Sequence, residues 1–212
     1  MRLIAFGDSW TAGHGVETDE SYKEEAMPNF FIERLRYCNA WPRWLSDKLE
    51  CTFVNTGGCG FGNQFILNHI EYCKQFMEKD DIVIVMLTYP YRYRNKKDKE
   101  IKQVFKEMEK HLKSWQHFYF NAFFPVFKEE DFDISKLPSH FINPEGSVSD
   151  VLREYEIKND VSVWEYGSRS VWNDEKNFYE GDYHPNLLGY KIIADYIYEQ
   201  IKDQICTKKK IV

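Results

Sequence analysis

No stretch of the sequence is apolar for long. None reaches the roughly 18 residues that a membrane-spanning helix requires, so no membrane insertion is expected. A secretory leader pattern is also missing. Met1-Arg2 runs straight into strand-like residues, without a basic segment and a long apolar core, which points to a cytoplasmic setting. Cysteine is sparse and unpatterned: Cys38, Cys51, Cys59, Cys73 and Cys206 are odd in number and never spaced as CxxC. That argues against a disulfide framework or a cysteine-built zinc site and for reduced thiols. Basic charge is short as well. The net charge of −6 lacks the excess that a general nucleic-acid binder shows. There is no internal repeat, which removes solenoid architectures.

The sequence does hold enough for one α/β domain with a sizeable core, 212 residues of which 43% are hydrophobic. Aromatic residues reach 17%, which would suit aromatic-lined grooves but is most simply a composition bias. Abundant Lys, Tyr, Phe and Asn would fit an AT-rich bacterial or viral genome.

Short apolar runs mark the strands. Residues 2–6 end at Gly7, and Cys51–Val54 ends at a Gly-rich loop. Ile82-Val83-Ile84-Val85-Met86-Leu87 is continuous and β-branched, as expected of a central parallel strand covered on both faces. Phe118–Phe124 reads as a fourth strand. Helical patterns lie between them: Trp41–Leu49, a segment carrying Phe65, Ile66, Ile70, Cys73 and Met77 on one face, and Asp98–Trp115. Residues 10–40 read as loop with some helix. Residues 125–165 are polar and Pro-interrupted, with one helical stretch near Val148–Tyr155, and are expected to form an insertion or lid. A last helix follows Asn186 as N-cap, turning Leu188, Ile192, Ile193, Tyr196, Ile197, Ile201 and Ile205 inward, and Lys208–Lys210 form a frayed tail. Strands alternating with helices predict a single three-layer α/β/α domain over 1–212, with a central parallel, flavodoxin-like sheet. Ligands of such sheets bind at the carboxyl ends of the strands.

Three segments fall at that edge. Gly7-Asp8-Ser9-Trp10 follows the first strand. Asn55-Thr56-Gly57-Gly58-Cys59-Gly60-Phe61-Gly62-Asn63 follows the second. Gly181-Asp182-Tyr183-His184-Pro185-Asn186 precedes the last helix. Ser9, Asp182 and His184 are the ingredients of a Ser-His-Asp hydrolase in the chain order Ser…Asp…His. A serine hydroxyl is a poor nucleophile until a base accepts its proton, and a histidine titrates in the right range to do so.

Together these segments resemble the SGNH (GDSL-type) hydrolase family, over nearly the whole chain except 125–165. The resemblance implies Ser9 as nucleophile, His184 as base and Asp182 as its orienting partner. It also implies the Ser9 and Gly60 backbone N–H groups as oxyanion donors. The family's third block supplies an Asn side chain to the oxyanion, but here the third strand leads into Thr88-Tyr89-Pro90-Tyr91-Arg92-Tyr93-Arg94, and the next Asn is Asn95. Asn63, Thr88 and Arg92 are the candidates for that role. The family's Asp commonly stands three residues before the His, where this chain has Gly181. Asp182 lies two before, with Glu180 as a rival.

The implied function is a serine ester hydrolase, a deacylase or acetylesterase working through a Ser9 acyl-enzyme. Its partner would be a small-molecule or glycan ester, acylated carbohydrate included, and transfer of the acyl group to another alcohol uses the same triad. The alternative is a catalytically degenerate SGNH-like domain that binds a glycan or protein. A flavodoxin-like nucleotide binder is disfavoured by Asp8, whose carboxylate would sit in the phosphate cradle. His14, His184 and nearby carboxylates lack metal-site spacing, so neither metal nor cofactor is expected. The oligomeric state stays open.

Overall fold

The computed structural model describes residues 1–14, 29–88, 101–123, 136–164 and 184–209. Four strands, β1 (Arg2–Phe6), β2 (Thr52–Asn55), β3 (Ile82–Leu87) and β4 (Gln116–Asn121), pair in parallel in the order β2-β1-β3-β4. The register sets Ile4 beside Val54 and Val83, and Val83 beside His117. The strands alternate in sequence with α1 (Ser9–Ala12), α2 (Asn29–Asn39), α3 (Trp41–Lys48), α4 (Asn63–Cys73), α5 (Ile101–Leu112), α6 (Val148–Asn159) and α7 (Leu187–Lys209), and a 3-10 turn, Lys74–Phe76, extends α4.

The two-residue period of the strands divides the core into two. On one face Leu3, Ala5, Ile84, Met86 and Phe120 pack with Trp41 and Leu45 of α3 and Ile193, Ile197 and Ile201 of α7. On the other, Ile4, Phe6, Val83, Val85 and Leu87 pack with Ile66 and Ile70 of α4 and Val104, Met108 and Leu112 of α5. All six residues of β3 are buried, as the continuous apolar run predicts for a central parallel strand. Each such side chain contributes about 1.5–3 kcal/mol on burial. The result is a three-layer α/β/α architecture with a flavodoxin-like strand order.

The order has a consequence for function. The chain steps from β1 outward to β2, then returns to place β3 on the other side of β1. That reversal opens a crevice between the carboxyl ends of β1 and β3, the usual ligand position in open α/β sheets. The opposite end of the same two strands is pinned. Arg2 Nε and Nη2 donate to Asp81 Oδ1 and Oδ2 at 3.0 and 2.7 Å, and the Glu78 N–H donates to Oδ2 at 2.8 Å. The Asp81 side chain is fully buried. Burial opposes its ionisation, but the Arg2 and Glu78 bonds prevail and hold its carboxyl below the usual aspartate range.

Several local expectations shift. Leu188, expected to face inward, is 36% exposed. The inward stripe is Tyr190, Ile193, Ile197 and Ile201, at spacings of three and four, and a residue two before Tyr190 lies round the helix from it. Phe65 is likewise exposed, because Ile66 and Ile70 define the inner face of α4. The fourth strand lies at Gln116–Asn121, earlier than the sequence pattern indicates. Lys208 and Lys209 continue α7 rather than fraying from it. Of the segment expected as an insertion or lid, residues 136–164 send Val148, Leu152, Val163 and Trp164 into the core. Ser147 and Asp150 close a capping box that starts α6. Among the described residues, no helix is long and apolar enough to cross a membrane.

Candidate active site

The crevice begins with Asp8. Its carboxylate caps α1 by accepting from the Trp10 N–H at 3.0 Å, and its second oxygen accepts from the Thr88 hydroxyl at 2.7 Å. Both residues are buried, Asp8 at 0% and Thr88 at 1% exposure. One carboxylate therefore ties the turn after β1 to the end of β3, across the strand reversal. Asn63, the first residue of α4, completes the clamp: its Nδ2 donates to the Thr88 carbonyl at 2.7 Å and its Oδ1 accepts from the Thr88 N–H at 3.0 Å.

Ser9 is the first residue of α1. The helix is one turn long and stops at Gly13, whose left-handed backbone lets its N–H return to the Ser9 carbonyl at 3.1 Å. The Ser9 side chain is buried, and its Oγ has no hydrogen-bond partner among the described residues.

The loop after β2 is stapled to the same turn. Thr56 N–H and hydroxyl both reach the Ala5 carbonyl at 2.9 Å, Gly58 N–H reaches the Gly7 carbonyl at 3.2 Å, and Asn55 Nδ2 reaches the Thr11 carbonyl at 2.6 Å. Gly57 lies so close to α1 that an added Cβ would meet the Ala12 nitrogen and stand 2.7 Å from the Thr11 carbonyl carbon. Gly60 has φ 73°, the left-handed region in which glycine is least strained. The Gly-rich composition thus serves close approach at one position and a reversed turn at another.

His184 arrives from the other end of the sequence. It is 7% exposed, and its ring lies 5.4 Å from that of His14, whose N–H bonds the Ser9 carbonyl at 3.1 Å. Three contacts hold this approach. Pro185 bridges Trp164, whose ring packs tilted against that of Trp10 at 5.7 Å. Asn186 donates its N–H to the Val163 carbonyl at 2.9 Å and caps α7 by accepting from the Gly189 N–H at 3.0 Å. Tyr190, one turn into α7, donates its hydroxyl to the His14 carbonyl at 2.6 Å.

This is an α/β fold whose first turn and last helix meet at one edge. Its fold is similar to that of a carbohydrate esterase. A family two carbohydrate esterase from Clostridium thermocellum, solved in complex with cellohexaose, matches with a TM-score of 0.51 and 14% identity, covering 96% of this chain and 64% of that one. A member of the lipolytic protein G-D-S-L family from Veillonella parvula DSM 2008 has a TM-score of 0.45 and 18% identity, covering 94% of this chain and 97% of that one. A psychrotrophic esterase from Pseudoalteromonas sp. has a TM-score of 0.49 and 13% identity, covering 96% and 98%. At these identities the likeness is one of fold. No family model and no curated protein matches the chain by sequence.

Of the residues singled out from sequence, Ser9, Gly60, Asn63, Thr88 and His184 lie among the described residues. Asp182, its rival Glu180, and Arg92 lie outside them. Asn63 and Thr88, considered as oxyanion donors, direct their side chains to each other's segment and to Asp8. Sequence reasoning missed His14 and Tyr190 as the contacts that hold the His184 segment. Tyr190 stands four after the cap Asn186, on the inward stripe of α7, and that spacing was the only available signal.

Proposed function

We propose that the protein is a serine ester hydrolase whose nucleophile is Ser9. In this mechanism Nε2 of His184 takes the Ser9 hydroxyl proton as Oγ attacks the acyl carbon. Asp182 orients the imidazole and stabilises its charged form. The backbone N–H groups of Ser9 and Gly60 face the oxyanion of the tetrahedral intermediate, where one such donor is worth about 3–4 kcal/mol. The alcohol departs with the proton from His184, and water then releases the acyl group by the same steps in reverse.

The observation that carries this reading is that two buried groups from opposite ends of the chain lie at the same edge of the fold. Ser9 offers a buried hydroxyl with no hydrogen-bond partner among the described residues, and the His184 ring lies 5.4 Å from that of His14, whose backbone N–H bonds Ser9's own carbonyl. An acylated carbohydrate is the substrate class we favour, since sugar faces stack on aromatic rings and one similar fold is a carbohydrate esterase solved with cellohexaose.

The test is covalent labelling with a fluorophosphonate, read by intact mass, beside hydrolysis of p-nitrophenyl acetate and of acetylated cello-oligosaccharides. Wild type should take up one label, and Ser9→Ala should take up none and lose turnover. Folded wild type that neither labels nor hydrolyses would refute the assignment. Asp182→Asn should lower the rate by roughly 10⁴-fold; if Glu180→Gln does so instead, the orienting carboxylate is Glu180.

A second reading is a glycan- or protein-binding domain without catalysis. The observation favouring it is that Asn63 and Thr88 spend their side chains on holding the crevice together. It predicts saturable binding of a cello-oligosaccharide with no label at Ser9. Arg92→Ala separates the readings further: a substrate or oxyanion role for Arg92 lowers turnover, whereas a surface role leaves it unchanged.

A further inference from the structure

Away from the crevice, three side chains from three segments converge. Glu109 projects from α5, His117 is the second residue of β4, and His140 precedes Phe141, which bridges back to Tyr119. His117 Nε2 lies 2.8 Å from Glu109 Oε1, and His140 Nε2 lies 3.1 Å from each Glu109 oxygen. The two imidazole rings stand 4.2 Å apart. All three ligand atoms fall within 4.8 Å of one another.

The donor arithmetic of His117 is instructive. Its Nδ1 sits 3.0 Å from the Trp115 carbonyl, which can only accept, so Nδ1 carries the hydrogen. In the neutral ring this leaves Nε2 with a lone pair, and that lone pair is aimed at a carboxylate oxygen, another acceptor. A cation between them, a proton or a metal ion, brings these two acceptors together. The Nδ1–H to carbonyl bond is also the arrangement that fixes the tautomer of metal-bound histidines. A further buried group faces the cluster. The Tyr119 ring lies 5.5 Å from His117 and 5.9 Å from His140, and its fully buried side chain places the hydroxyl beside Glu109. Burial, then the charge of Glu109, pushes that phenol well above its usual range.

We propose that Glu109, His117 and His140 form a binding site for a divalent transition-metal ion, zinc being the first candidate. Two imidazoles and one carboxylate suit a borderline cation rather than magnesium or calcium, which take oxygen ligands. Bonds of about 2.1 Å in tetrahedral geometry separate ligand atoms by roughly 3.4 Å, so the 2.8 and 3.1 Å contacts of Glu109 would open by about 0.6 and about 0.3 Å. The site is pre-built. His140 is held by its own backbone, because the Tyr119 N–H bonds its carbonyl at 3.0 Å and the Ile142 N–H bonds the Tyr119 carbonyl at 2.9 Å. Glu109 and His140 are about a quarter exposed, which leaves room for a fourth ligand from solvent.

The site is independent of the hydrolase reading. His117 pairs with Val83 near the start of β3, and Thr88 follows the end of that strand five residues on, about 16 Å away. The ion would staple α5 and the segment before Phe141 to the first residues of β4, and would take no part at Ser9.

The test is zinc chloride titrated calorimetrically into the full 212-residue chain after chelator treatment and dialysis. Wild type should bind one equivalent, and Glu109→Gln and His140→Ala should each weaken binding at least about 100-fold. Cobalt(II) should give visible absorption bands with wild type and none with the variants. His140 is partly exposed and Glu109→Gln is isosteric, so circular dichroism should show both variants folded; if one fails to fold, the other decides. Absence of zinc uptake by wild type would overturn the proposal, and so would variants that bind zinc as tightly as wild type. Magnesium in place of zinc should produce no heat.

Discussion

Thr88→Val is the most informative single perturbation of the crevice. The substitution keeps the side-chain volume and removes only the hydroxyl that donates to Asp8 across the strand reversal. The bond is 2.7 Å long, one partner is a carboxylate, and both residues are buried. A hydrogen bond to a charged group in such surroundings contributes about 1.5–3 kcal/mol. A loss near 2 kcal/mol should lower the melting temperature of a chain this size by roughly 4–8 °C. Urea unfolding measures the loss directly, and a cycle with Asp8→Ala isolates the pair from the helix-capping bond that Asp8 also makes to Trp10. On the proposed function, fluorophosphonate labelling of Ser9 should slow as well, because the carboxylate that caps α1 loses its anchor on β3. A Thr88→Val protein within about 0.5 kcal/mol of wild type, at unchanged denaturant slope, would show that the clamp is not what holds the crevice closed.

Other outcomes follow from neighbouring geometry. Gly57→Ala should cost about 1–3 kcal/mol through overpacking against the Thr11–Ala12 backbone, read by thermal melt; a neutral result would mean the loop shifts freely away from α1. Asp81→Ala should cost about 1.5–3 kcal/mol in urea unfolding, because it removes charge-assisted hydrogen bonds from Arg2 and the bond from the Glu78 N–H, while Arg2 keeps Glu78 and the Phe76 carbonyl. The same pair sets an acid limit. The folded pKa of Asp81 is depressed, so its stabilisation is present above the unfolded value near 3.9 and fades as pH falls below it. Wild type should therefore lose stability on acidification through that range more steeply than Asp81→Ala does. Tyr190→Phe should cost about 1 kcal/mol by removing the bond to the His14 carbonyl, and should slow Ser9 labelling more than that modest loss of stability explains.

The strands were legible because parallel strands covered on both faces need unbroken apolar runs, and Ile82–Leu87 supplies one. The turns were legible because Gly7 and the Gly57–Gly60 loop interrupt such runs abruptly. The Asp8–Thr88–Asn63 clamp was not, since its members come from three different strand ends and nothing in their spacing marks them as neighbours. Asn63 and Thr88 drew notice as polar residues at the right edge, but only the structure reveals which bonds they make. The Glu109, His117 and His140 cluster was hidden for the same reason. Its ligands are spread over a helix, a strand and a later loop, with no local motif to join them.

The tether between Tyr190 and His14 also has a meaning for synthesis. The turn bearing Ser9 leaves a ribosome well before α7, which starts at Leu187. At typical elongation rates the two emerge on the order of ten seconds or more apart. Through that interval the nascent protein can pair β1, β2 and β3 yet cannot bring His184 to α1. On the proposed function, catalysis at this edge is withheld until translation has passed Tyr190, and a transcript cut short before that codon yields a sheet without the tether to His14.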